Sequence, residues 1–426
     1  MNDWPRVNLT EVCRFQEGPG VLAKDFTEEG IALVRLSGLG GHEVSLSGCN
    51  YVSIENGTGK WAHFRLLEGD ILISTSASLG RPAVVGKEAA GAIFYTGIIR
   101  FRSTSDQLNE GYLKLFLGSR PFMLQAEAMA TGSVIKHYGP THLKRMWISL
   151  PPIHVQDAIV DLITPLDDKI ELNRRMNETL EAQARALFRD WFVDFGPVKA
   201  KMAGSAPYLA PDLWSLFPDR LDDRGVPAGW ETATLGDFAT CQSRKADPGE
   251  VDEGTPYIGL EHMPRRSIAL DEWEKAKKVS SAKLRFRRRE ILFGNLRPYF
   301  HKVGIAPVDG ICSTDIVVLT PKKERFEALA LACASTDEFV AFTDQSSTGT
   351  KMPRTSWKIM KAYPMVRPGD AVAHSFQSTC GPMLDRILLN IEENRALAQT
   401  RDLLLPKLMA GEIRIGEAEA QLAEAV

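Results

Sequence analysis

A chain of 426 residues suits two or three domains, and its 44% hydrophobic and 25% charged content fits a globular protein. No apolar run approaches the roughly 18 residues needed to span a bilayer, and Met1-Asn-Asp-Trp-Pro-Arg6 lacks a secretory core, so the cytoplasm is expected and no membrane partner is. A net charge of −3 excludes a uniformly basic nucleic-acid binder, and six scattered cysteines without a Cys-x-x-Cys pair read as reduced, mostly buried thiols rather than zinc ligands.

In chain order, residues 1–150 alternate short β-rich runs with Gly, Pro, Asn and Ser. Asp70-Ile-Leu-Ile-Ser74 and Ala92-Ile-Phe-Tyr-Thr96 read as strands, and Glu110–Leu117 as a helix. Residues 151–195 are helical. There Leu166, Ile170, Asn173, Asn177, Leu180, Ala184, Leu187 and Trp191 recur at alternating spacings of four and three, the a/d seam of a coiled coil. Thr164-Pro165 supplies a cap followed by proline at the first helical position, which places the helix start there. Residues 196–229, rich in Pro, Asp and Gly, read as a linker.

A second globular part follows at 230–367, with strands at Tyr257-Ile-Gly-Leu260, Ile291-Leu-Phe293 and Asp315-Ile-Val-Val-Leu319 and a helix at Arg325–Ala334. Between Glu261 and Lys302 twelve Lys or Arg face five Asp or Glu, a basic segment inside a neutral chain. A second helical region spans 368–412, entered by Gly381-Pro382. Its seam reads Met383, Ile387, Asn390, Asn394, Leu397, Arg401 and Leu404, with Arg401 the clear departure. Residues 413–426 form an acidic tail.

The two halves are copies. Residues 131–187 align without a gap to 348–404 at an offset of 217, with thirteen identities. Upstream, Trp4 and Leu9 correspond to Trp230 and Leu235, and Gly69-Asp-Ile-Leu72 to Arg289-Glu-Ile-Leu292. The expected fold is therefore α+β: two globular parts separated by two long helices that pair as an antiparallel coiled coil, with a pseudo-two-fold repeat. The four seam asparagines set register or contact DNA or a partner. No phosphate-binding Gly-x-x-x-x-Gly-Lys-Ser/Thr loop, base-methylating motif or nucleophile triad appears, so no catalytic residue and no metal site is assigned.

Leu150-Pro-Pro-Ile-His-Val-Gln-Asp157, Pro165-Leu-Asp-Asp-Lys-Ile-Glu-Leu-Asn173 and Ala186-Leu-Phe-Arg-Asp-Trp-Phe-Val-Asp-Phe195 resemble the central region of specificity subunits of Type I restriction-modification enzymes. Tyr257-Ile-Gly-Leu-Glu-His262, Gly294-Asn-Leu-Arg-Pro-Tyr299 and Leu405-Pro-Lys-Leu-Met-Ala-Gly-Glu-Ile413 add to that resemblance. It implies two target-recognition domains reading the halves of a bipartite, asymmetric DNA site. It also implies two modification subunits that methylate adenine and two restriction subunits, with S-adenosylmethionine, ATP and Mg held by those partners and none here. The alternative is a coiled-coil adaptor that binds proteins only.

Positions shared by both repeats cannot explain why two half-sites differ, so base readers belong where the repeats diverge. The DNA-binding candidates in the second domain are Arg265, Arg266, Lys277, Lys278, Arg297, His301, Lys302, Lys351 and Arg354, and in the first Ser76, Arg81, Lys136, His137 and Tyr138. As a group the cations suit a phosphate-binding surface, and which of them read bases stays open. Phe188, Trp191, Phe192 and Phe195 form an i, i+3, i+4, i+7 stripe that suits packing within the chain or docking of a modification subunit.

Overall fold

The computed structural model describes residues 4–75, 82–129, 138–247, 249, 251–276, 281–347 and 352–425. The chain divides into two compact units, Met1–Glu171 with Ala396–Val426, and Leu172–Arg395.

In the first unit Arg6–Asn8 pairs antiparallel with Trp147–Ser149, closing the globular part on itself. One four-stranded sheet runs Cys13–Glu17, Ile98–Ser103, Ile71–Ser74, Ala83–Val84; a second runs Phe26–Thr27, Asn50–Val52, Ile31–Val34, Ile93–Phe94. A helical hairpin, Glu110–Leu117 and Arg120–Met129, packs Tyr112, Phe116 and Phe122 against Ile71 and Phe101. Asn109 starts the hairpin by accepting a hydrogen bond from the Tyr112 amide.

The second unit repeats this plan. Glu231–Thr234 pairs antiparallel with Pro364–Arg367. A four-stranded sheet runs Ala239–Cys241, Ile316–Pro321, Ile291–Gly294, Val303–Ile305, and a five-stranded sheet replaces the other. The hairpin is Glu327–Ala334 and Asp337–Gln345, with Thr336 capping the Phe339 amide. Each hairpin stands 217 residues from its counterpart, the offset of the sequence repeat.

The strands around Ile71 and Ile291 show how closely the backbones correspond. Gly69 has φ +89° and Arg289 φ +72°, so glycine in one copy and arginine in the other hold the same left-handed corner. The Gly69 amide donates to Val85 O and the Arg289 amide to Ala306 O, and the following Asp70 and Glu290 carbonyls take the Val85 and Ala306 amides. The buried Asp70 carboxylate accepts from Leu67 N and Glu290 from Arg287 N. A non-glycine residue in this left-handed region costs roughly 1 kcal/mol relative to glycine. Here Arg289 is held by Glu327 and Asp385.

Two long helices, α1 (Ile153–Phe188) and α2 (Asp370–Ala410), each contribute to both units. The expected starts at Pro165 and Pro382 are corrected: both prolines lie inside helices. A proline removes one backbone donor and crowds the preceding turn, at about 3 kcal/mol in a bare helix; the apolar face buried on either side of Pro165, from Ile159 and Ile163 to Ile170, offsets it.

Within the second unit the helices pair antiparallel. The Asn173 side-chain amide donates to Asn394 (2.9 Å) and that of Asn390 to Asn177 (2.7 Å), so residue numbers fall on one helix as they rise on the other. Asn394 is the repeat counterpart of Asn177, and Asn390 of Asn173. Each asparagine thus meets the other's copy, as a pseudo-two-fold requires. All four are buried, as are Ile387 here and Leu166, Ile170, Leu397 and Leu404 in the first unit, whereas Leu180 and Leu187 pack half-buried on the second unit's core. Arg401, the departure in the seam, forms an ion pair with Asp167 inside the first unit.

The segment 196–229 is more than a linker. It contains helices Gly196–Met202 and Pro211–Leu216, and Val198, Phe217 and Val226 are buried in the second unit's core. Among the described residues no helix is long and apolar enough to cross a membrane.

Candidate nucleic-acid interface

In the second unit three loops converge on the edge of the four-stranded sheet. The first carries Arg265 and Arg266, the second is the turn after strand Ile291–Gly294, and the third enters Thr355. Backbone hydrogen bonds tie them together: Arg266 N to His301 O (2.9 Å), Arg297 N to Pro353 O (2.7 Å) and Thr355 N to Asn295 O (3.0 Å). Arg265, Arg266, Arg297, Lys302 and Arg354, five of the cations singled out from sequence, are therefore gathered in one place.

Their environments differ. Arg265 is exposed and lies over the Phe300 ring, 4.2 Å from its centroid. Arg266 pairs with Asp337 (2.8 Å) and Arg354 with Asp315 (2.6 Å), so each carries a carboxylate that a phosphate would have to displace or share. Arg297 stands 5.9 Å from the Phe300 centroid, and its Nε is buried without a hydrogen-bond partner. Lys302 donates to Leu260 O; burial, then the nearby Arg265, hold its pKa below the usual lysine range.

The turn itself is strained. Arg266, Arg297 and His301 have φ of +59°, +53° and +51°, three of the five left-handed non-glycine residues among those described. Each costs about 1 kcal/mol or more, and such strain gathers at functional sites. Between the latter two, Pro298-Tyr299-Phe300 forms a single helical turn that presents Tyr299 to solvent at 51% exposure.

Two expected DNA contacts are corrected. His301 is 3% exposed; its Nε2 lies 2.9 Å from Ser335 O, and burial lowers its pKa, so it anchors the turn rather than facing a ligand. Tyr138 is 4% exposed and donates its hydroxyl to Ser74 O (3.1 Å) inside the first unit. Ser76, Arg81, Lys136, His137, Lys277, Lys278 and Lys351 lie outside the described residues.

Of the two readings of the aromatic stripe, the structure shows packing within the chain, and its assignment to partner docking is corrected. Phe188, Trp191 and Phe192 are buried, with Phe376 at 6.4, 5.6 and 5.0 Å between ring centroids, and Phe195 packs edge-on to Trp230. The helix closes there through a π-turn, Arg189–Val193, that turns Trp191 and Phe192 into the core and leaves Val193 47% exposed.

Beside that turn the second unit has a groove lined by Phe192, Val193, Glu338, Pro364 and Val366. The first unit has one lined by Met409, Ala410, Pro121, Trp147 and Ser149. These are the same five positions, each 217 residues apart. Sequence reasoning missed both grooves, because they join residues far apart in the chain and lie along no single periodic face. It missed Phe300, Asp315 and Asp337 too, since it sought cations rather than what holds them.

The chain is a duplicated α+β protein with two long helices, basic loops gathered in the second unit and a groove recurring in both units. Residues 1–182 match the family described as Type I restriction modification DNA specificity domain. The chain is similar to the Type I restriction enzyme HindI specificity subunit of Haemophilus influenzae, 26% identical over 318 residues, 62% of this chain and 69% of that one. It is also similar to the MjaIX specificity subunit of Methanocaldococcus jannaschii, 23% identical over 364 residues, 82% of this chain and 79% of that one. The fold matches the solved Type-I restriction-modification system S subunit from M. genitalium at a TM-score of 0.52 and 15% identity, over 95% of this chain and 96% of that one. The chain is thus similar in sequence to specificity subunits of Type I restriction enzymes, and its first 182 residues match the DNA specificity domain family.

Proposed function

We propose that this chain is the non-catalytic DNA-reading subunit of a cytoplasmic Type I restriction-modification enzyme. Each unit reads one half of a bipartite, asymmetric site. The observation that carries the reading is the duplicated frame: corresponding corners keep the same backbone hydrogen bonds, while the loops around them carry different side chains. A shared frame supplies common geometry to both half-sites, and divergent loops supply different base contacts. The cluster of Arg265, Arg266, Arg297, Lys302 and Arg354 serves the second half-site, with cations held near the phosphate backbone. The protein-only adaptor is not favoured, since the relatives are Type I restriction enzyme specificity subunits by name and the matched family is described as a DNA specificity domain.

The recurring groove supports two copies of one partner, which we assign to two modification subunits; two restriction subunits complete the enzyme. S-adenosylmethionine, ATP and Mg belong to those partners. Mapping methylated adenines in host cells with and without the intact gene tests the function. A gapped, asymmetric two-part motif that disappears with the gene is expected. A continuous motif, or none, would overturn it.

A further inference from the structure

We propose that Tyr299 is an aromatic wedge that stacks on a base of the half-site read by the second unit. The inference rests on the DNA-reading function and goes beyond the cations. Tyr299 is 51% exposed in the midst of a basic loop cluster, where water gains nothing from an apolar ring. On the neighbouring loop Met352 is 53% exposed, so two apolar side chains stand out among the arginines.

The ring is presented rigidly. Pro298 fixes the backbone before it, left-handed Arg297 and His301 bracket it, and the buried His301 ring, beside Ser335 O, pins the far end. Phe300 lies against it at 4.7 Å between centroids and carries Arg265 on its ring. A preorganised ring loses little freedom on binding, and every base offers it a flat face. Arginine alone would serve a phosphate. An exposed aromatic held at the centre of such a cluster suits an unstacked base step.

The test uses the full chain assembled with its partner subunits, and a duplex carrying the mapped cognate site. Tyr299→Ala should weaken cognate binding roughly ten- to a hundredfold, the range of one base–aromatic stack. Tyr299→Phe should keep most of it, because the ring and not the hydroxyl does the stacking. The salt dependence of binding should stay unchanged in both, since tyrosine neutralises no phosphate. Binding to random duplex should also be unaltered.

Cognate binding undiminished in Tyr299→Ala would overturn the wedge. Equal loss in Tyr299→Phe would replace stacking by a hydrogen bond and overturn it too. Failure of Tyr299→Ala to assemble with partners on gel filtration, or a lowered melting temperature, would make the residue a protein contact or a structural one, again against the proposal. A wild-type complex that does not prefer the cognate duplex over random DNA would instead defeat the DNA-reading function itself.

Discussion

The repeat can be tested by asking whether one half substitutes for the other. A fragment of residues 1–210 keeps the first unit's globular part but loses Leu404, Leu405, Leu408 and Met409, all buried in that unit's core. A second copy could supply the counterparts, which are Leu187, Phe188, Trp191 and Phe192. Leucine replaces leucine at the first position. At the other three, a larger aromatic must enter space shaped for Leu or Met. Overpacking costs about 1–3 kcal/mol per site, so roughly 3–9 kcal/mol weighs against each of the two junctions in such a dimer if the sites add.

Replacing the three aromatics by what the first unit accepts, Phe188→Leu, Trp191→Leu and Phe192→Met, should therefore tighten dimerisation of the fragment. Even about 3 kcal/mol is more than a hundredfold in the equilibrium constant. In the intact chain the same triple change should have the opposite sign. It strips the aromatic packing around Phe376 and should destabilise the second unit by several kcal/mol, given about 3–5 kcal/mol for full truncation of one buried Phe or Trp. Sedimentation equilibrium of both fragments and urea unfolding of both full chains read out the pair of effects. With modification subunits added, the two-fold dimer should select an interrupted palindrome. A wild-type fragment that dimerises as tightly as the triple variant would refute the packing argument, and a triple variant that remains monomeric would refute the interchangeability of the helices.

Two further outcomes follow from the structure. Arg289→Ala should destabilise more than Arg289→Gly by about 1 kcal/mol in urea unfolding, because both leave the buried Glu327 without its arginine but only alanine retains the left-handed strain; equal losses would remove the backbone contribution. Val193→Glu and Ala410→Glu, at matching positions of the two grooves, should each release one partner copy while leaving the other bound, as native mass spectrometry would show; retention of both copies in both variants would dissociate the grooves from docking.

Much of the architecture was legible because duplication leaves a constant offset and a buried helix face leaves a period of three and four. The seam from Leu166 to Leu187 could be read for that reason. The helix starts could not: a proline at a helix start and one inside a helix look alike locally, and only distant packing decides between them. The aromatic stripe could not be decided between packing within the chain and partner docking, since Phe376, the residue that buries it, lies 188 positions after Phe188. Segment 196–229 has the composition of a linker, yet a few apolar residues, Val198, Phe217 and Val226, suffice to dock it. In the candidate interface the basic residues were visible one by one. Their convergence depends on left-handed backbone at Arg266, Arg297 and His301, where side-chain identity gives no warning.

The correspondence of Gly69 and Arg289 shows what duplication leaves free to change. Both corners keep the same turn, amide pattern and following carboxylate, so the frame tolerates a side chain that departs from the glycine such a corner favours. In the second unit that departure is tied down by Glu327 and Asp385, whose counterparts in the first unit, Glu110 and Asp168, are also carboxylates. The acids are common to both copies and only the arginine differs. A new charge can thus enter one copy without redrawing the backbone, provided the frame already offers it a partner. The same economy holds at the interface, where Asp337 and Asp315 hold Arg266 and Arg354 in place. Side chains that read DNA can then change in one unit while the other unit's geometry, and its half-site, stay as they were.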